Sequence, residues 1–288
     1  MRLTLLFVLF ACKLFAQKTP EVFQPGHISN GGVFGFTLSP NGKEAFWVNS
    51  NGGRDTLIIM HAIKAKGKWQ QPQVASFSGN IGVWKDIDPV FSPDGNMVLF
   101  QSNRPVDGKP NRSAFDIWAS KRENGGWSKA FHLGNVINTD ASESYASITN
   151  DGHIYFMKDN PDGKGSSDLW VSKFSNGQYQ EAVNLGAPIN TSFRESNPYI
   201  SPNEDYLIYF SNDSTGLGDV DLFISFKNGE RWEEPISLGA PINGRLGEFC
   251  PFVHQKKKKL YFCRTKINGT GRRTENIYVV DFDPGTFR

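Results

Sequence analysis

The chain has 288 residues, with 31 Lys plus Arg against 29 Asp plus Glu and a formal charge of +2 at pH 7. That balance excludes a strongly basic nucleic-acid binder and an acidic interaction tail. Gly (29) and Pro (16) are spread along the chain and 13% of residues are aromatic, so disorder is excluded and many short strands are predicted rather than helices.

Residues 1–17 read MRLTLLFVLFACKLFAQ, with one Arg, an apolar middle and a small residue before the predicted cut near Ala16 or Gln17. This is the pattern of a secretory signal peptide, and it is too short to span a bilayer. The alternative is a lipoprotein box, Leu9-Phe10-Ala11-Cys12, with the chain anchored through Cys12. Either reading takes the mature protein out of the cytoplasm, to the periplasm or the exterior. Removing Arg2 and Lys13 with the signal leaves 29 bases against 29 acids. No transmembrane segment is expected in the remainder.

From residue 18 onward the chain repeats. The units begin VFGFTLSPNG at Val33, DIDPVFSPDG at Asp86, ESYASITNDG at Glu143, ESNPYISPNE at Glu195 and EFCPFVHQKK at Glu248. Ser39, Ser92, Thr149, Ser201 and His254 are equivalent, at spacings of 53, 57, 52 and 53 residues. A second strand follows each turn and is nearly all apolar, as in Met97-Val98-Leu99-Phe100 and Leu207-Ile208-Tyr209-Phe210. Such runs are buried on both faces. The third strand opens at Asp116-Ile117-Trp118, Asp168-Leu169-Trp170, Asp221-Leu222-Phe223 and Asn276-Ile277-Tyr278. A Gly turn and a fourth strand lead into Leu-Gly-x-x-Ile-Asn at Leu133, Leu185 and Leu238.

Four short antiparallel strands per unit, stacked face to face around an axis, make a β-propeller. The predicted repeats are 33–85, 86–142, 143–194, 195–247 and 248–288 plus 18–32. The fifth unit stops after its third strand, and residues 20–31 (PEVFQPGHISNG) resemble the final strand and loop of the unit before, EPISLGAPING. The fold expected is therefore all-β: one five-bladed propeller over residues 18–288, its ring closed by the N-terminal strand joining the last blade, which removes free edges.

These units resemble the WD40-like (PD40) propeller repeat of the TolB type. The carriers are Ser92-Pro93-Asp94-Gly95, Ser102-Asn103-Arg104-Pro105, Asp116-Ile117-Trp118 and the Leu-Gly-x-x-Ile-Asn ends. The style is that of cell-envelope proteins of Bacteroidetes. The resemblance implies a fold over nearly the whole mature chain, and it implies little about chemistry. TolB itself is similar to a six-bladed propeller with an extra domain, so its role does not transfer to five units.

Strand direction puts the long connections, near residues 101–114, 158–167, 212–220 and 264–275, on one face together with the Leu-Gly-x-x-Ile-Asn loops. Binding on rigid scaffolds concentrates on such loops. Asp86, Glu143, Glu195 and Glu248 start four innermost strands and are expected at the mouth of the central channel. They read as repeated structural acids, as a calcium-like cation site, or as the carboxylates of a glycosidase. Residues that break the repeat are the other binding candidates: Arg54, Trp84, Arg104, Arg194, Arg264 and Arg272. Cys250 and Cys263 are open to two readings, a disulfide or two small buried residues. No nucleophile elbow or zinc spacing occurs, and no cofactor is expected.

The function expected is a monomeric, non-catalytic binding or scaffold module of the cell envelope, with a protein or glycan partner and no nucleic acid. The alternative is a glycoside hydrolase or lyase using carboxylates at the channel mouth.

Overall fold

The computed structural model describes residues 18–50, 54, 56–79, 82–106, 114–159 and 165–288. The signal segment 1–17, with Cys12, lies outside the described residues. The secondary structure is almost entirely strand, with two short 3-10 turns at Gln255–Lys257 and Pro284–Phe287. No helix among the described residues is long and apolar enough to cross a membrane.

Five antiparallel sheets form five blades. Their innermost strands are Val33–Leu38, Asp86–Phe91, Glu143–Ile148, Glu195–Ile200 and Glu248–His254. The second strands are the apolar runs predicted. Val98, Leu99, Ile154, Phe156, Leu207, Ile208 and Leu260 are completely buried. They are buried because the sheets stack: Leu99 and Ile117 of blade 2 share a cluster with Ile148, Ile154 and Phe156 of blade 3. Clusters joining the other neighbouring blades repeat this around the ring. Burying each large apolar side chain contributes roughly 1.5–3 kcal/mol.

The ring closes at its two chain ends. Strand Glu21–Val22 pairs with Arg273–Asp281 of the last blade, Glu21 opposite Val279 and Val22 opposite Tyr278. Phe23 then packs 5.1 Å from Phe36 of blade 1 and 5.2 Å from Tyr261 of blade 5.

The Leu-Gly-x-x-Ile-Asn motif has a physical reason. Its Ile (Ile137, Ile189, Ile242) is fully buried. Its Asn clips the third strand through both backbone groups of one residue. Asn190 Oδ1 accepts from the Leu169 N–H at 2.8 Å, and its amide donates to the Leu169 carbonyl at 2.9 Å. Asn138 does the same on Ile117, and Asn243 on Leu222. At the closure Ile28 and Ser29 take these places, and Ser29 Oγ bonds the N–H and C=O of Ile277. The resemblance of the N-terminal segment to a blade end is therefore functional within the fold.

One predicted loop is largely strand. In blade 5, Lys259–Ile267 and Arg273–Asp281 pair continuously, so residues 264–275 form a hairpin with a five-residue turn at 268–272. Continuous register from Lys259 to Ile267 satisfies the backbone groups that an open loop would leave to water.

Candidate functional site

Every innermost hairpin carries a β-bulge at the same height, between Phe34/Thr37, Ile87/Val90, Ser144/Ser147, Ser196/Tyr199 and Phe249/Phe252. The third residue of each strand is thereby placed in the left-handed region: Gly35, Asp88, Tyr145, Asn197 and Cys250, with φ between 50° and 57°. Bulges re-aim side chains. These five positions line the waist of the channel, around a cavity of about 40 Å³. That space suits water rather than a sugar. Gly35 is needed there, since a Cβ would lie 2.6 Å from Asp88 Oδ1.

Asp88 is the chemically distinct member of this belt. The Cys250 thiol donates to its Oδ1 at 3.3 Å, and the Gln101 amide donates to its Oδ2. Gln101 is oriented by the Tyr145 N–H, which donates to its Oε1 at 3.1 Å. Among the described residues no cation lies within ion-pair distance of Asp88, and Arg54 acts on it from farther off. Burial pushes its carboxyl up to about 7, an effect that Cys250, Arg54 and Gln101 only partly offset and that Glu275 reinforces. Burial likewise raises the Tyr145 phenol beside it.

Glu275 stands near Asp88 in a different environment. Its Oε1 pairs with Arg54 Nη2 at 2.6 Å, and its side chain is 19% exposed. Arg54 itself lies with its guanidinium carbon 4.5 Å from the Phe34 ring centre and 5.8 Å from that of Phe249. Blades 1, 2 and 5 thus bring Asp88 and Glu275 within electrostatic reach of each other, the first buried with thiol and amide donors and the second in an ion pair.

The four repeated acids do something else. Asp86, Glu143, Glu195 and Glu248 are 0–1% exposed and do not ring an open mouth. Each accepts from the loop that ends the preceding blade. Glu195 accepts the Thr191 hydroxyl at 2.7 Å and its N–H at 3.1 Å, Glu143 accepts the same groups of Thr139, and Glu248 accepts the Gly244 N–H at 2.8 Å. Asp86 accepts the Ser78 hydroxyl at 2.9 Å. Burial nevertheless outweighs these bonds for Glu143, Glu195 and Glu248, whose carboxyls are raised. They are clamps between blades.

Two of the basic candidates answer these acids. Arg104 pairs with Asp86 at 2.6 Å, and Arg264 pairs with Glu248 at 2.7 Å, their side chains only 12% and 14% exposed. The Arg104 guanidinium sits among Trp84, Phe100 and Trp118, 5.2–5.5 Å from each ring centre. Trp84 and Arg104 therefore form one packed cluster. Arg264 is held inside the blade 5 hairpin. Arg54 and Arg194 remain at the mouth, and Arg272 lies on the outer turn, its N–H donating to Asn268 Oδ1 at 2.9 Å.

Of the two cysteine readings, the structure has the unbonded one. Register places Phe249 opposite Cys263, and the bulge turns Cys250 toward Asp88. The Cys263 thiol donates to the Val33 carbonyl at 3.5 Å. Among the described residues, no group of three or more His, Cys, Asp or Glu converges as metal ligands would.

Asp88 was legible by a rule already stated. Its column reads Gly35, Asp88, Tyr145, Asn197, Cys250, so it breaks the repeat more completely than the first-position acids do. Glu275 had no such signal, because the fifth unit differs in length there.

No family model and no curated protein matches the sequence. Solved structures share the fold. A thermostable family-43 glycoside hydrolase superposes with a TM-score of 0.59 at 14% identity, covering 90% of this chain and 94% of that one. A GH62 hydrolase in complex with xylotriose gives 0.58 at 8% identity, covering 92% and 98%. An alpha-L-arabinofuranosidase from Lactobacillus brevis gives 0.52 at 12%, covering 89% and 96%. This chain is a five-bladed propeller of that shape. The comparisons correct the expectation of a non-catalytic scaffold, because the architecture behind that expectation is shared with proteins described as glycoside hydrolases.

Proposed function

We propose that the protein is an exported glycoside hydrolase acting at the loop-face end of its central channel. Asp88 serves as the proton donor, and Glu275, in its ion pair with Arg54, as the second carboxyl. The observation that carries this reading is the contrast between the two groups. Acid–base cleavage of a glycosidic bond needs two carboxyls whose environments separate their protonation. Asp88 is buried with thiol and amide donors and its carboxyl is pushed up to about 7, while Glu275 is in an ion pair with Arg54. The sharing of fold with glycoside hydrolases supports the same reading. In this reading the sugar lies outside the water-sized waist, and Asp88 lines that waist. The TolB-type repeat pattern fits this proposal as a description of blade construction.

In the forward step Asp88 gives its proton to the glycosidic oxygen as the bond to the anomeric carbon breaks. Glu275 stabilises the positive charge that develops on the sugar, either by direct attack or by activating a water. The test is turnover of a panel of neutral and acidic polysaccharides and aryl glycosides by the full chain. Asp88→Asn and Glu275→Gln should each lower kcat by about 10²–10⁴-fold. Absence of turnover across the panel, or full activity in either variant, would overturn the assignment.

A further inference from the structure

The residue directly before each innermost strand lies on the loop side, and in four blades it is one position from a buried clamp. These residues are Gly32, Lys85, Ser142, Arg194 and Gly247. Blades 2 and 4 build this position in the same way. The Lys85 N–H donates to Asn103 Oδ1 at 2.7 Å, and the Arg194 N–H donates to Asn212 Oδ1 at 2.7 Å. Their carbonyls accept from the same asparagines, from the Asn103 N–H at 3.3 Å and the Asn212 N–H at 3.4 Å. Two blades therefore hold a cationic residue by the backbone, with Arg194 exposed and Lys85 half-buried.

Neither side chain has a carboxylate within ion-pair distance among the described residues, unlike Arg104, Lys158 and Arg264 one layer below. Arg194 is exposed, with its guanidinium carbon 5.3 Å from the Phe210 ring centre. Asp159 and Arg194 act on each other electrostatically without forming an ion pair. Arg54 and Arg194, from blades 1 and 4, both act electrostatically on the Tyr145 phenol, against the burial that raises it. With Glu275 paired to Arg54, Lys85 and Arg194 stay outside any ion pair among the described residues.

We propose that the glycan taken at this mouth is acidic, carrying a uronate carboxylate that Arg194 grips and Lys85 helps to hold from across the opening. A guanidinium matches a carboxylate in a two-point contact, and an ammonium supplies a mobile point charge. This rests on the hydrolase reading for the reaction but not for its test, which measures binding. Neutral sugars gain nothing from either side chain.

The experiment is calorimetric titration of the full chain with oligogalacturonate, a neutral arabino-oligosaccharide and a sulfated oligosaccharide of similar length. The uronate oligomer should bind best and lose affinity with added salt. Arg194→Gln and Lys85→Gln should each weaken it about 10-fold, and the double variant about 100-fold. Equal binding of the neutral oligomer, preference for the sulfated one, or unchanged affinity in both variants would overturn the proposal. Its failure is separable from that of the hydrolase reading. Asp88-dependent cleavage of a neutral glycan alone sinks the uronate assignment, while tight uronate binding without cleavage by the wild type sinks the acid–base one.

Discussion

At the scale of single residues, what surrounds an acid decides its use. Glu44 and Asp88 are both buried, yet they are pushed in opposite directions. At Glu44 burial is outweighed by hydrogen bonds from His61, Arg122 and Trp127, and the carboxyl falls to about 2. At Asp88 burial prevails, and the carboxyl rises to about 7. A carboxyl raised above its unfolded value binds more protons in the native state than in the unfolded chain. Its contribution to stability is present in acid and is lost as pH rises through the folded value. The groups facing Asp88 are Cys250, Arg54, Glu275 and Tyr145. Asp88→Asn removes the titration, so the stability of the wild type relative to this variant should fall between about pH 4 and pH 7 and then level off. Chemical denaturation of both proteins at several pH values measures the difference directly. A difference that stays constant with pH would remove Asp88 as the titrating group. No pattern of residue types alone distinguishes Glu44 from Asp88, because the difference lies in which donors the fold brings to each.

At the scale of elements, the repeat is a set of fastenings. The bulge turns one side chain to the axis, the first-position acid holds the loop before it, and the motif Asn clips the third strand. Asn190→Ala should therefore destabilise the protein by about 1–3 kcal/mol, since it leaves the buried N–H and C=O of Leu169 without partners. Urea denaturation measures this, and a loss below about 0.5 kcal/mol would show that water replaces the clip. The strands were legible because an all-apolar run has few other places to go, and the turns because Pro-Asp-Gly and Asn-Gly impose their geometry. The bulges were not legible. A left-handed Tyr145 or Cys250 follows from packing five strands around one axis, and no local preference asks for it.

At the scale of the whole molecule, the ring is held shut by fifteen residues before the first blade. Residues 18–32 supply the outer strand of blade 5, the buried Ile28 and the Ser29 clip. Their removal should lower the melting temperature sharply, by more than about 10 °C, through the loss of an edge strand and a core side chain. A melting temperature unchanged by the deletion would contradict closure by the chain ends.

The sequence by itself determined the repeat, the blade count, the order of strands and the way the ends meet. These depend on apolar periodicity and on turn chemistry, which are local and recur five times. Only the tertiary structure decided which acids are clamps and which is buried at the waist with thiol and amide donors. Asp86 and Asp88 are two residues apart in one strand, and a bulge sends them to different surroundings: the first to a hydroxyl donor and Arg104, the second to the channel waist with Cys250 and Gln101. Proton affinity depends on burial and on neighbours from other blades, and those neighbours are assembled only when the ring closes.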